Sequence, residues 1–395
     1  MVSVSEAKDI IKAEVKLSSR LAKNLLDARG SYLAEDLFAG IDVPSFDNSA
    51  MDGYAFRFED LQKYEQLEVV GEVPAGSVFS SLDIAEGQAV RIFTGAKIPP
   101  GVDTVVIQEK VTLTGGAISF PASEVKKGDN IRLRGSQTQK GELIMKKSTF
   151  INHSAIGFLA GFGFQNIPVY DQLKVGILVT GDELVELGNP LLDGQIYNSN
   201  SYTLQAALSE INHSCSWSHH TKDSAEDTLN AIKQAFDKAD VLLITGGISV
   251  GDYDYVKDAL YSIGVEELFY KIKQKPGKPL FFGKYQQKYV FALPGNPASV
   301  FTCYHQYVKP FLLGCAGREN FFQERAYALS ESSAEKKNNG LTHFLKAYYE
   351  GNKVKILQGQ ESYKMNSAAE ANCFVELGSD EIEIKSGQEL KIWKI

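Results

Sequence analysis

Residues 241–255 decide the fold class of this chain, and they read VLLITGGISVGDYDY. The first five residues are apolar or β-branched, which is typical of a strand that is buried on both faces. A loop with three glycines follows, and residues 255–262 have a helical pattern. The stretch therefore predicts a strand, a loop and a helix in direct succession.

The same order of strand and helix recurs through residues 171–316. Further strands are predicted at 174–180, 214–219, 267–272, 280–282 and 289–293, and further helices at 200–210, 225–238 and 298–313. This alternation is typical of right-handed βαβ units around a mostly parallel, doubly wound sheet. Because ligands of such sheets bind beyond the carboxyl ends of the strands, the loops at that edge are the candidate site.

Composition limits the class of protein. The chain has 395 residues and a net charge of −8, which argues against nucleic acid as a partner because no basic stripe could neutralise phosphates. No segment approaches the ~18 uninterrupted apolar residues of a membrane span. The four cysteines are scattered without a metal-binding spacing. We therefore expect a cytoplasmic protein whose thiols are reduced and mostly buried.

Four domains are predicted from the shifts in pattern. Residues 1–43 and 134–170 form a discontinuous helical or mixed linking domain, and residues 44–133 form an inserted β-rich domain. Residues 171–316 are the α/β domain, and residues 317–395 are a C-terminal β domain that resembles a barrel. The N-terminal residues 1–30 have the amphipathic rhythm of a helix.

Short elements are predicted inside three of these domains. A helix at 149–161 has Asn152 or Ser154 as its N-cap. The strands of the inserted and C-terminal domains are predicted at 67–73, 88–93, 104–108, 117–120, 326–330, 342–349, 353–357, 373–377 and 389–395.

The loops at the edge of the α/β sheet are polar or rich in glycine. Asp182 and Glu183 follow the strand at 174–180, and an acid pair of this kind serves equally well as a cation site or as a helix cap. Gly246, Gly247 and Ser249 follow the strand at 241–245, where backbone amides could approach an anion. In the same loop, Asp252 and Asp254 offer carboxylates to a divalent ion that bridges phosphates.

Two further loops at this edge supply positive charge and a helix end. The KPGKP turn at 275–279 presents Lys275 and Lys278, although a solvated surface turn would be the usual interpretation of it alone. Residues 294–297 read PGNP, with Asn296 suited to the N-cap and Pro297 to the first helical position. Such a helix end is a potential anion site.

The inserted domain contains a second group of candidates. Asp52 precedes Gly53, where a glycine would accept a positive φ and the carboxylate could point into a cleft, although a plain turn is the better interpretation of the pair alone. Thr94 begins a turn that resembles an oxyanion site. Arg132 and Arg134 would share one face of a strand. That pairing suits phosphate or pterin contacts, but its usual use is in surface salt bridges.

Together these segments closely resemble the MoeA family, the molybdopterin molybdenumtransferases, which includes the gephyrin E domain. The matching segments are residues 49–55, 91–101, 105–109, 130–135, 180–184, 246–254, 275–279 and 293–297. The resemblance implies an elongated chain of four domains, multidomain α/β plus β, with a molybdopterin-binding-like α/β domain. It also implies a homodimer with its active site between subunits.

The resemblance implies a reaction as well. Adenylylated molybdopterin is bound, molybdate is ligated to its dithiolene, and AMP is released in a step that depends on Mg²⁺. Asp254 or Glu183, with a contribution from Asp223, would hold the metal and orient water. Asp52 and Thr94 would complete the site, from the partner subunit. The adenylyltransferase of the same pathway is the expected protein partner.

The implied substrate contacts are spread over several loops. The turn from Pro294 to Pro297, with Lys271 or Lys275, would supply donors to molybdate. The residues implied to bind the pterin nucleotide or the oxyanion are Arg132, Arg134, Gly246, Gly247, Ser249, Lys271, Lys275, Lys278, Pro294, Pro297 and Ser367.

The chain departs from the family pattern in two places. Ser136 and Gln137 replace an acidic pair, and residues 361–364 stand where relatives have a Gly-Ser-Gly stretch, so that Ser367 is the best match there. The alternatives are a non-catalytic scaffold like the gephyrin E domain and a tungstate-inserting relative. Simple nucleotide binding by the α/β domain would leave the other domains unexplained.

Overall fold

The computed structural model describes residues 1–77, 83–248, 255–322, 325–336 and 339–395. Their contacts divide into two compact units. The first unit comprises residues 1–34, 148–155 and 166–395, and the second comprises residues 35–147 and 156–165. The finer division into four domains stays a prediction. Across the described ranges, no helix combines the length and the apolar character that a membrane crossing needs.

The first unit contains the predicted doubly wound sheet. The order of its six described strands is Cys215–Thr221, Val175–Thr180, Val241–Thr245, Lys288–Leu293, Phe281–Tyr285 and Glu266–Tyr270. The first four run parallel to one another, and the fifth, Phe281–Tyr285, is antiparallel to both of its neighbours. The prediction of a mostly parallel sheet is therefore confirmed.

Successive residues of the central strands enter two different cores, because side chains alternate across a sheet. Leu243 packs in one core with the helix Asn200–Glu210, whereas Leu242 and Ile244 pack in the other with the helix Ala225–Lys238. Both helices have the predicted bounds. A shorter helix, Val256–Ser262, joins the second core.

The predicted helix at 298–313 is present but interrupted. It consists of an α-helix at Pro297–Cys303, a π-helical turn at Tyr304–Val308 and an α-helix at Lys309–Cys315. Pro310 explains the interruption, because it has no N–H for a helical bond and its ring crowds the carbonyl one turn earlier.

The prediction of a helix through residues 1–30 is wrong beyond its first part. A helix spans Val4–Glu14 and begins with a capping box between Ser3 and Glu6. The chain then forms a strand, Arg20–Asn24, that pairs antiparallel with Asn166–Tyr170. Long-range pairing replaced local helix propensity here.

The predicted helix at 149–161 spans His153–Gly161, and Asn152 Oδ1 accepts the Ala155 N–H at 2.8 Å.

The C-terminal part of the first unit is a closed barrel of five strands within the described ranges. The strands are Arg325–Ser330, Thr342–Glu350, Lys353–Ile356, Cys373–Leu377 and Glu389–Lys394. Closure arises because the strand Thr342–Glu350 pairs with two of the others, one on each side. A short strand of the α/β part, Gln274–Lys275, adds to it in parallel.

The second unit contains a mainly antiparallel sheet. Its described strands have the order Thr104–Ile107, Gly53–Phe56, Gln88–Ile92, Leu67–Val73, Ala117–Ser119 and Thr112–Thr114. Separate short pairs join Leu37–Phe38 to Leu143–Met145 and Asn48–Ser49 to Ile131–Arg132. The β-rich character predicted for this region is confirmed.

Candidate active site

Three neighbouring strands of the α/β sheet end in register. Val179 is paired with Thr245, and Thr245 is paired with Leu293. The loops after these strands therefore meet at one edge, as predicted. They line a cleft of about 440 Å³ that contains Glu183, Asp223 and the turn from Pro294 to Pro297.

The glycines at this edge are required by close packing. Gly246 has φ +92°, and a Cβ there would lie 2.7 Å from the Thr180 carbonyl oxygen. Gly247 has φ +60°, and a Cβ there would lie 2.7 Å from the side chain of Val256. The Gly246 N–H donates to the Leu293 carbonyl at 3.3 Å. These glycines bring the strand ends together, and their role in anion binding stays a prediction.

Two acidic side chains, Glu183 and Asp223, line the cleft. Burial raises the pKa of Asp223 above its ordinary value, and the charges of Asp182 and Glu183 add to the rise. The Asp223 N–H donates to Asp182 Oδ1 at 3.2 Å. Repulsion of this kind is relieved by a divalent cation, and carboxylate oxygens are ligands that Mg²⁺ prefers.

The predicted metal site is incomplete within the described part of the chain. No group of three or more histidine, cysteine, aspartate or glutamate side chains there is arranged to hold a metal ion. The third predicted ligand, Asp254, lies outside the described residues, as do Asp252 and Ser249.

Among the buried polar side chains of the cleft, those of Thr245 and Asn200 were missed in the sequence. The hydroxyl of Thr245 and Oδ1 of Asn200 are buried and have no hydrogen-bond partner among the described residues. Asn200 is held by its other amide atom, Nδ2, which donates to the Gly295 carbonyl at 2.8 Å. Buried polar atoms are normally paired, so both are available to a ligand. Only their position at strand and helix ends could have indicated them.

The helix that begins at Pro297 has the predicted start, with Asn296 as its N-cap residue, but the Asn296 side chain makes no capping bond. The Ala298 N–H, which has no partner within the helix, donates to the Ser362 carbonyl at 3.1 Å. A segment of the barrel thus satisfies part of the helix end that was predicted to bind an anion.

Lys275 and Lys278 line a second cavity of about 310 Å³, and Pro279, Pro294 and Asn296 are common to both cavities. The two exposed ammonium groups are therefore close to the acidic cleft.

The other predicted lysine, Lys271, has φ +65° and places its Nζ 4.8 Å from the centre of the Tyr270 ring. Ser367 is buried, and its hydroxyl donates to the Gly359 carbonyl at 2.7 Å.

In the second unit, Asp52 and Thr94 are joined directly. Asp52 Oδ1 accepts both the Thr94 N–H and the Thr94 hydroxyl, each at 2.7 Å. The sequence predicted an oxyanion site at this turn, and here the anion that Thr94 binds is a carboxylate of the same unit. Among the described residues, the other carboxylate oxygen of Asp52 has no donor. The prediction that Gly53 would accept a positive φ in a turn is wrong, because Gly53 begins a strand.

The two arginines do not share one face of a strand, because the strand ends at Arg132 and the chain then turns. Arg134 Nε donates to Asp42 Oδ2 at 2.6 Å, and the Arg134 N–H donates to Asp47. Arg132 Nη2 donates weakly to the Ala50 carbonyl, at 3.4 Å. Arg134 therefore makes a surface salt bridge. A substrate contact of either arginine stays a prediction.

Replacing Thr94 with valine should raise the pKa of Asp52 part of the way to its ordinary value. The Thr94 amide is the main group that holds the pKa of this carboxyl down, and the hydroxyl is the second. Valine removes only the hydroxyl. The measurement is a ¹³C NMR titration of labelled aspartate, with Thr112→Val on an exposed edge strand as the control. An unchanged pKa would show that the hydroxyl does not bond to Asp52.

Three family models cover most of this chain. The MoeA N-terminal region (domain I and II) matches residues 2–163, the probable molybdopterin binding domain matches residues 176–314, and the MoeA C-terminal region (domain IV) matches residues 330–395. The order and extent of these regions agree with the similarity that the sequence motifs indicated.

Relatives match over nearly the whole chain. A Haemophilus influenzae protein named molybdopterin molybdenumtransferase is 36% identical over 93% of this chain and 92% of its own length. A Nostoc protein of the same name is 33% identical over 100% of this chain and 94% of its own. The crystal structure of the molybdopterin biosynthesis MoeA protein from Pyrococcus horikoshii has a TM-score of 0.84 at 29% identity, covering 100% of this chain and 99% of that one. This chain therefore belongs to the MoeA family, whose curated bacterial relatives carry the name molybdopterin molybdenumtransferase.

Proposed function

We propose that this protein inserts molybdate into adenylylated molybdopterin and releases AMP in a step that depends on Mg²⁺. The observation that supports this most strongly is the cleft at the sheet edge. It combines two carboxylates, Glu183 and Asp223, with buried, unpaired polar atoms that include those on Asn200 and Thr245, and it adjoins a cavity with two lysines.

The residues of the cleft have complementary roles toward a polyanion. Lys275 and Lys278 neutralise the diphosphate, and the Thr245 hydroxyl donates to an oxygen of phosphate or molybdate. Asn200 Oδ1 accepts from a hydroxyl or amine of the ligand. Glu183 and Asp223, with Asp254, would hold Mg²⁺ and orient the attacking water. Bound there, Mg²⁺ would supply positive charge that offsets the charge of the phosphates.

We also propose a homodimer in which Asp52 and Thr94 of the partner subunit complete the site. The open carboxylate oxygen of Asp52 supports this role, because a catalytic carboxylate needs an atom that is free to meet substrate. The pathway's adenylyltransferase would deliver the substrate. A cytoplasmic location is supported by four unpaired cysteine thiols, since such thiols persist in reducing compartments.

The proposal is tested by AMP release from adenylylated molybdopterin under anaerobic conditions, with and without molybdate and Mg²⁺. We expect release to require both ions and to fall by about 100-fold in Asp52→Ala, since general acid–base groups contribute 10²–10⁴-fold. Asp103→Asn is the control, because Asp103 accepts the Phe58 N–H at 2.9 Å and so has a capping role.

Two outcomes would contradict the proposal. Tight binding of adenylylated molybdopterin without AMP release under any oxyanion would indicate a scaffold or carrier. Release that tungstate supports and molybdate does not would indicate a tungstate-inserting enzyme.

A further inference from the structure

The turn that presents the two lysines rests on a buried amide. Gln274 is 0% exposed, and its Nε2 donates to the Pro276 carbonyl at 3.0 Å and to the Gly277 carbonyl at 3.2 Å. Gln274 and Lys275 are consecutive residues of one short strand, so their side chains point to opposite sides. Gln274, which supports the turn from inside, is therefore the chain neighbour of Lys275, which the turn exposes.

Tyr307 fixes the orientation of this amide. Its hydroxyl, in the π-helical turn at Tyr304–Val308, donates to Gln274 Oε1. The two carbonyls require the NH₂ group on their side, so the oxygen must face Tyr307. Burial raises the pKa of Tyr307 well above its ordinary value, which keeps the phenol a neutral donor. π-Helical turns inside α-helices are frequent at functional sites.

The turn also fits tightly over this support. Gly277 has φ +85°, and a Cβ there would lie 2.5 Å from Cys303 Sγ and 2.9 Å from Gln274 Nε2. Burial raises the pKa of Cys303 to about 12, so the thiol is uncharged. The turn therefore has little room to shift.

A polar side chain in this position needs a reason. Tyr307 and Cys303 belong to the main hydrophobic core, and a buried amide is unfavourable there unless its hydrogen bonds are made. An apolar residue would fill the same space, but among the described residues it would leave the Pro276 carbonyl without a donor, and the Gly277 carbonyl would keep only the Cys303 thiol, at 3.7 Å. The buried amide of Gln274 therefore stabilises the conformation of the turn.

We propose that Gln274 and Tyr307 are positioning residues, which hold the turn at residues 275–279 so that Lys275 and Lys278 meet the anionic part of the substrate together. This inference rests on the proposed function, because it assigns substrate binding to the two lysines. It predicts a defect in substrate binding, with the chemical step preserved.

The test compares Tyr307→Phe with Tyr304→Phe in the full chain. Both tyrosines lie in the π-helical turn and are buried, but the Tyr304 hydroxyl donates to the Ala207 carbonyl at 2.7 Å, away from the lysines. Each variant loses one buried hydrogen bond, so both should lose a few degrees of Tm. Only Tyr307→Phe should raise the KM for adenylylated molybdopterin, by about threefold to tenfold, with kcat within about twofold.

Three further variants complete the test. Gln274→Met, which keeps the volume of the side chain, should raise KM at least as much as Tyr307→Phe. Lys275→Ala and Lys278→Ala should raise KM and weaken its dependence on salt, because they remove charges that attract the substrate. Tyr307→Phe should weaken the salt dependence in the same direction, which a merely structural defect would not do.

The failure of the inference and the failure of the proposed function are distinguishable. If the lysine variants raise KM but Tyr307→Phe behaves like Tyr304→Phe, the positioning role is refuted. If the lysine variants leave KM unchanged, Lys275 and Lys278 do not bind the substrate. That result refutes the role proposed for the two lysines, and the positioning role with it.

Discussion

Replacing Asp223 with asparagine should lower the rate of AMP release by about 100-fold to 1,000-fold, because it removes one charged oxygen from the groups that stabilise the reacting phosphate. Asparagine has nearly the same shape, and the backbone bond from residue 223 to Asp182 remains possible. The measurement is the rate of AMP release at several Mg²⁺ concentrations, together with Tm.

The same substitution should leave Tm unchanged or raise it at pH 7. The folded protein raises the pKa of Asp223, so the folded state binds the proton more tightly than the unfolded state does. The charged carboxylate therefore lowers stability above its pKa, and this penalty disappears as the pH falls. The difference in Tm between Asp223→Asn and the wild type should accordingly vanish in acid.

Asp182→Asn is the matched control, because Asp182 is a neighbouring exposed acid whose carboxylate contacts the Asp223 backbone. We expect its rate to stay within about fivefold of the wild type, as for a group outside the reacting set. If Asp223→Asn keeps the wild-type rate at every Mg²⁺ concentration, Asp223 is not a metal or water ligand.

Replacing Gly53 with alanine should destabilise the second unit by about 3 kcal/mol or more. The strand Gly53–Phe56 lies between two antiparallel neighbours. A Cβ on Gly53 would lie 2.0 Å from the Val106 carbonyl oxygen, which is a main-chain atom. The backbone would have to move, and Asp52, whose carbonyl accepts the Gln108 N–H, would move with it. Urea unfolding and AMP release should both show the loss.

Gly95→Ala is the control for this prediction. Gly95 has φ +82°, but a Cβ there would meet no atom within 4 Å. An alanine in the left-handed region costs about 1–2 kcal/mol. Equal destabilisation by the two variants would show that the close approach of Val106 is not what requires a glycine at position 53.

The sequence predicted the α/β part of the fold well, because its signals are local. A buried parallel strand is a short apolar run, and a surface helix has a period of 3.6 residues, so the strand Val241–Thr245 and the helix Ala225–Lys238 have the predicted bounds. The strand Arg20–Asn24 was missed because its partner, Asn166–Tyr170, lies far along the chain. Its local pattern alone resembled a helix.

The sequence likewise predicted some residues of the candidate site and missed others. Glu183 lines the cleft because loops that follow parallel strands meet at one edge, and Asp223, which only the family resemblance implied, lines it as well. Asn200 and Thr245 were missed because nothing in their local sequence distinguishes an unpaired polar atom from a paired one. A surface salt bridge was the usual interpretation of the two arginines, but the partner of Arg134, Asp42, could not be identified because the two residues are far apart in the chain.

By itself, the sequence determined the fold class, the family and the edge of the sheet where the candidate site lies, because periodicity, turn residues and motif order are properties of neighbouring residues. Only the tertiary structure decided why Gly53 must be a glycine, which polar atoms in the cleft are unpaired, and that Tyr307 supports the lysine turn through Gln274. Each of these depends on the distance between atoms that packing brings together from distant parts of the chain.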